Sequence, residues 1–319
     1  MLPVSPRPPL DPLTTGAIGL AVVAVSSSAP LIAYAAAPAL AVALWRNLLA
    51  VVVLSPFSLT RRRGEFRALA APTGRREGLF CVLSGIALAG HFATWMPSVR
   101  LTSVAMATAL VATQPVWQGL IARVQGRRLP PVVWTGIAVA VGGAVIATGA
   151  DVGVSGRAVV GDLLAVTGGI FAAVYTAFGE RARASISTTT YTTICYGICA
   201  VILLVICLLG GIRVVGFDGR TWLAILALVV GAQLLGHSMF NYALHRISAT
   251  TVSVLILLEV PGAALLAWLW LDQVPRPYAL VGMVLLLVGV AVVVLGGARA
   301  ARRAAPVTPL PADAAPLEP

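Results

Sequence analysis

Four ionisable side chains stand in stretches too apolar to be surface: Arg46, His91, His237 and Glu259. On insertion scales an ionisable group in a transmembrane helix costs about 2.5–3.5 kcal/mol, so each calls for a partner or a function. Glu259 lies about ten residues into an apolar run, which at ~1.5 Å rise per residue is ~15 Å deep and near the middle of a bilayer. A carboxyl there suits a substrate ammonium or a coupling proton. Arg46, within LWRNLLA (Leu44–Ala50), offers a guanidinium to an anionic group. Snorkelling to the headgroups, or pairing inside the protein, is the alternative for a long cationic side chain near a helix end. His91 and His237 carry imidazoles that change charge near neutral pH, or else each bonds a backbone carbonyl of a neighbouring helix. Trp95, Gln114, Gln118, Asn241 and Tyr242 lie on or beside the same runs. They suit a polar cavity lining, and equally ordinary interhelical hydrogen bonds. Pro115 and Pro261 fall inside apolar runs, where proline removes a backbone hydrogen bond and bends the axis, so paired bends in gating helices are expected.

The elements that must position these groups are membrane helices. Of 319 residues, 59% are hydrophobic and 10% charged, against about 25% charged in an ordinary soluble domain. A helix needs roughly 20 apolar residues to cross a bilayer, and such stretches recur from Gly16 to Gly297. They read as spans at 16–37, 39–58, 78–98, 103–122, 132–149, 159–179, 189–210, 221–242, 249–271 and 277–296. The fold class expected is therefore an all-α polytopic membrane protein of about ten transmembrane helices. Ala35-Ala36-Ala37 resembles a signal-peptidase site, but the apolar run before it is long for a signal core and its leader holds Arg7 against Asp11, so cleavage is not expected.

The net charge of +11 is carried by arginine, with no lysine in the chain. Six arginines fill the connection 59–77, which fits the positive-inside rule rather than a nucleic-acid patch. With the N-terminus inside, 16 arginines fall in inside segments and 5 in outside loops, placing both termini in the cytoplasm. The four cysteines lie in apolar runs without metal or redox spacing. No HExxH or GxSxG motif occurs, so no catalytic centre, metal or cofactor is expected.

Gly85 and Gly231, Gly90 and Gly236, His91 and His237, Arg100 and Arg246 are each 146 residues apart, as are Pro115 and Pro261, Pro131 and Pro277, Gly136 and Gly282, Gly143 and Gly289. Coincident His, Arg and Pro at one gapless offset identify a duplication. Five spans per unit invert the second copy, giving a first repeat over 16–149, a link 150–158 and a second repeat over 159–296, flanked by tails 1–15 and 297–319. The last of these, rich in Ala and Pro, is expected to be disordered. Inverted repeats in transporters enclose a substrate site near the midplane. Gly136, Ala140 and Ala144 recur every fourth residue and permit close helix contact.

HFATWMPSVRLTSVAMATALVATQPVW (His91–Trp117), GDLLAVTGGIFAAVY (Gly161–Tyr175) and GHSMFNYALHRISATTVSVLILLEVPGAALLAWLWL (Gly236–Leu271) resemble the EamA-type family of the drug/metabolite transporter superfamily, over about 16–296. The resemblance implies a ten-helix, two-repeat secondary carrier in the inner membrane, commonly exporting amino acids or other metabolites. The chain departs from the family where Glu259-Val260-Pro261 replaces Glu-Pro, and where Arg127 and Gln273 stand for a glutamate, with Asp272 one position early. The partners expected are a small-molecule substrate and membrane lipid, and a homodimer fits the same reading. A membrane enzyme, or a structural or sensory membrane protein, is the alternative.

Overall fold

The computed structural model describes residues 11–102, 104–148, 155–271, 274 and 277–304. Among them every regular element is helical, and seven helical stretches are long and apolar enough to cross a membrane: Ala39–Arg61, Pro72–Ser98, Gly156–Ala182, Thr188–Leu209, Gly219–Ala243, Ala249–Leu266 and Pro277–Gly297. Two shorter apolar helices, Pro12–Ser26 and Pro131–Ala147, accompany them. This is a multi-pass membrane protein.

The chain runs α1 (Pro12–Ser26), α2 (Ser28–Tyr34), α3 (Ala39–Arg61), α4 (Arg63–Ala70), α5 (Arg75–Leu101), α6 (Val104–Val111), α7 (Gln114–Val124) and α8 (Pro131–Thr148). It continues through α9 (Gly156–Ala182), α10 (Thr188–Leu209), α11 (Gly219–Leu228), a π-helical turn at Val229–His237, α12 (Ser238–Ala243), α13 (Ala249–Ile256), α14 (Glu259–Leu271) and α15 (Pro277–Ala304). Side-chain caps set several starts: Asp11, Ser155, Ser187, Asp218 and Ser248 each accept from the amide three residues on, satisfying an orphan donor of the first turn.

Three expectations are corrected. Pro115 and Pro261 do not bend continuous helices: each lies in the first turn of a new helix, just past two-residue breaks at 112–113 and 257–258. There a missing N–H breaks no intrahelical bond. The helix-interior prolines are Pro56 in α3 and Pro97 in α5. The arginine-rich connection 59–77 is largely helical, with α3 running on to Arg61 and α4 following, because Phe66 and Leu69 of α4 are half-buried while its arginines stay exposed. In the C-terminal tail, α15 continues to Ala304; residues beyond it, most of the link 150–158, Asp272 and Gln273 lie outside the described residues.

Two packing features position the site. Helix α5 runs along α9, while α3 and α5 both pack on α10. These helices enclose the largest core cluster, which includes Cys81, Cys195 and Cys199; all four cysteines are free and buried. Elsewhere α8 runs antiparallel to α15 at a separation only glycine allows. A Cβ on Gly143 would sit 2.4 Å from the Leu286 nitrogen, and one on Gly289 2.3 Å from the Ala140 nitrogen. Ala140 and Ala144 are fully buried in the same seam.

Candidate functional site

A cavity of about 150 Å³ lies where the helices are irregular. Its wall takes Ser28 from beside the α1/α2 break, Ala112 from the α6/α7 break, His237 from the π turn and Leu257 from the α13/α14 break. Backbone that leaves the helical ladder inside a membrane is tolerated where protein or a cavity, not lipid, surrounds it. Four interruptions converging on one space therefore mark that space as the reason for them.

Seven of the residues singled out from the sequence meet in this cavity: Arg46, His91, Trp95, Gln114, His237, Asn241 and Glu259. Gln118 is buried on α7 and Tyr242 sits on α12, but neither is part of the lining, and nor are Pro115 and Pro261. Arg46 does not snorkel, being 2% exposed. Its Nε donates to Gln233 Oε1 at 2.8 Å and its Cζ lies 4.9 Å from the Phe92 ring centroid. His91 Nδ1 is 2.9 Å from the Gly168 carbonyl, and its ring stacks on Trp95 with centroids 5.6 Å apart. Phe92 stands between the two imidazoles, 5.1 Å from His91 and 6.2 Å from His237. The duplicated histidines thus share one chamber.

A chain of polar side chains backs the cavity. Tyr175 OH donates to Asn241 Oδ1 at 2.9 Å, and Asn241 Nδ2 donates to the Tyr196 hydroxyl at 3.3 Å. Tyr196 meets Ser238 Oγ at 3.2 Å, and Ser238 donates to the Gln233 carbonyl at 3.2 Å. Gln233 Nε2 closes the chain on Asn47 Oδ1 at 3.1 Å. Across the cavity, Gln114 Nε2 donates to Thr176 Oγ1 at 3.1 Å. No ion pair of 4.0 Å or less joins Arg46 to Glu259, although both line the wall. The site thus holds a cation and a carboxyl that do not neutralise each other by contact.

The EamA-like transporter family model matches residues 14–149 and again 159–295. The chain belongs to the EamA-like transporter family. An uncharacterized transporter of Archaeoglobus fulgidus is 26% identical over 230 residues, covering 70% of this chain and 78% of that protein. In fold the chain is similar to a protein of known crystal structure, with TM-score 0.75 and 21% identity over 90% of this chain and 98% of the other.

In this EamA-like transporter, sequence reasoning missed Gln233, Tyr175, Thr176 and Tyr196. Gln233 has an alanine, Ala87, at the matching position of the first half, so the repeat gave no cue. Its signal was an amide alone in an apolar run. Tyr175 closes the motif Gly161–Tyr175 and was legible only as part of it. Arg127, just past the end of α7, donates from Nη1 to both oxygens of Glu180 at 2.9 Å. That pair ties the end of α7 to the end of α9.

Proposed function

We propose that the protein is a secondary transporter that exports small metabolites, such as amino acids or related compounds, across the cytoplasmic membrane by alternating access. The observation that carries it is the cavity in which Arg46 and Glu259 lie unpaired with each other, lined from both matched segments and surrounded by broken helices. Ionisable groups without an opposite charge in contact are expensive in a low-dielectric chamber, and a ligand that engages them repays that cost.

The finer architecture in this proposal is ten spans in two inverted five-helix repeats with both termini cytoplasmic. Reciprocal contacts support it. Gly136 packs on Gly289 and Gly143 on Gly282; Gly90 packs on Phe171 and Gly236 on Val25. The 146-residue offset turns the first contact of each pair into the second, as a two-fold axis between antiparallel copies requires. Glu259 is the coupling group of this mechanism, exchanging a proton for a cationic substrate group as the repeats rock about the site.

Cells with and without the gene should differ in accumulation of at least one small metabolite, and vesicles reconstituted with the protein should move that compound in exchange for protons when a proton gradient is imposed. Glu259→Gln, still delivered to the membrane, should lose proton-coupled movement. Wild-type rates and pH dependence in that variant would refute the coupling role, and no difference for any metabolite would refute transport. Reporter fusions after Leu59 and Val154 test the orientation, and a periplasmic signal at Leu59 overturns it.

A further inference from the structure

Arg46 reaches the cavity with one edge of its guanidinium already fixed. Nε is held by Gln233 Oε1 and the plate lies over Phe92. Gln233 is fixed in turn through Asn47 Oδ1, and Asn47 Nδ2 donates to the Ala43 carbonyl at 2.8 Å. This leaves Nη2 buried and, among the described residues, without a hydrogen-bond partner, on a side chain that lines the cavity. Trp95 Nε1, in the same wall, is likewise buried and without a partner. A buried donor lacking an acceptor is costly, more so when charged, and both belong to residues facing one empty space.

We propose that Arg46 Nη2, with Trp95 Nε1 as a second donor, receives the carboxylate of the transported molecule, and that Gln233 and Asn47 are the residues that position the guanidinium for it. This rests on the transport reading of the cavity and adds the chemical class of its substrate. Two single donors suit a monoanionic carboxylate better than a tetrahedral dianion, which takes a wider fork of donors. Glu259 in the same wall opposes a second negative charge. The bound carboxylate sits beside the Phe92 and Trp95 rings, so the body of the substrate next to it is apolar or flat.

The test is a melting-temperature titration of the full-length protein purified in detergent. The probes are the protein amino acids, 2-oxo acids and small aromatic acids, each matched with its neutral carboxamide. At least one carboxylate should stabilise wild type with an affinity tenfold or more above that of its amide. Arg46→Gln should abolish that discrimination, and Arg46→Lys should restore part of it. Gln233→Glu sets a competing negative charge against Arg46 and gives up the donation to Asn47 Oδ1; the unliganded melting temperature should fall, and the Kd for the carboxylate should rise tenfold or more at a temperature where the variant is still fully folded. A purely structural Gln233 would show the fall in melting temperature with the Kd unchanged. Equal binding of acid and amide to wild type overturns the proposal without recourse to any variant, as does discrimination that survives Arg46→Gln or the absence of any stabilising carboxylate. A carboxylate that binds in this way but never crosses reconstituted vesicles defeats the transport reading and leaves the site standing. Transport of a compound without a carboxylate does the opposite.

Discussion

The α8–α15 seam and the cavity are built from opposite kinds of residue. The seam consists of duplicated positions, Gly136 with Gly282 and Gly143 with Gly289, and each glycine packs on a member of the other pair. The charged and amide groups of the cavity are not duplicated. At the offset of 146, Arg46 corresponds to Thr192, Glu259 to Thr113, Gln233 to Ala87 and Asn241 to Trp95. Only the histidines recur, and even they differ: His91 bonds the Gly168 carbonyl, while His237 makes no hydrogen bond to the described residues. Duplication preserved the packing, and divergence supplied the chemistry.

The largest expected effect lies in the seam. Gly143→Leu drives a side chain into the backbone of α15, where even a Cβ would lie 2.4 Å from the Leu286 nitrogen. It should cost about 3 kcal/mol or more and abolish a monodisperse peak in size-exclusion chromatography. Gly142→Leu, one residue away and with nothing within 4 Å of its Cβ, should behave as wild type. Similar behaviour of the two variants would break the distinction between seam and surface.

In the cavity wall, Gln233→Leu removes the partners of Arg46 Nε and Asn47 Oδ1 together. A melting-temperature loss corresponding to about 2 kcal/mol is expected, because two buried polar groups lose their bonds. Comparing His91→Phe with His237→Phe sharpens the contrast further. The first should be more destabilising by about 1 kcal/mol, since it alone forfeits a hydrogen bond; equal losses would mean that the duplicated histidines remain equivalent.

The smallest effect is expected at the arginine-rich segment, away from both regions. Glu65 Oε2 accepts from the backbone and hydroxyl of Ser187 at 3.1 and 2.7 Å, and Glu65 pairs with Arg62 at 3.4 Å. Burial works to raise the Glu65 carboxyl, but the hydrogen bonds of Ser187 and Thr190 and the charge of Arg62 hold it below the usual range. A depressed carboxyl lends stability that is complete above its unfolded pKa and fades as pH falls through the folded value. Protection of the α4 amides, measured as exchange relative to the intrinsic rate at each pH, should therefore be high at neutral pH and fall below about 4.5, the ordinary glutamate value. Protection in Glu65→Gln should change little over that range.

Hydropathy was sufficient to read the apolar runs, because the bilayer imposes both the length and the composition of a helix that crosses it. Interruptions of those helices were harder to read. The α1/α2 break at Ser27 has no glycine or proline in the three residues either side except Pro30, and the π turn at Val229–His237, although it holds Gly231 and Gly236, lies in an apolar run that reads as one continuous span over 221–242. Both are settled by tertiary packing around the cavity rather than by local preference. The prolines drew attention as bends, yet the chain stops one helix and starts another just before each. Arg46, Glu259 and the histidines were legible because apolar surroundings make any ionisable group conspicuous. Gln233 was not, since its one cue, a neutral amide, is common in such helices as interhelical glue and it lies outside the motif that begins at Gly236.

The burial of the cysteines has a practical consequence. Cys81, Cys195, Cys199 and Cys207 are all 0% exposed, so water-soluble maleimides find no native target in the folded chain. A single cysteine introduced at Ala263 or Thr108, in the cavity lining, would then report alone on solvent entry, without a cysteine-free background having to be engineered first.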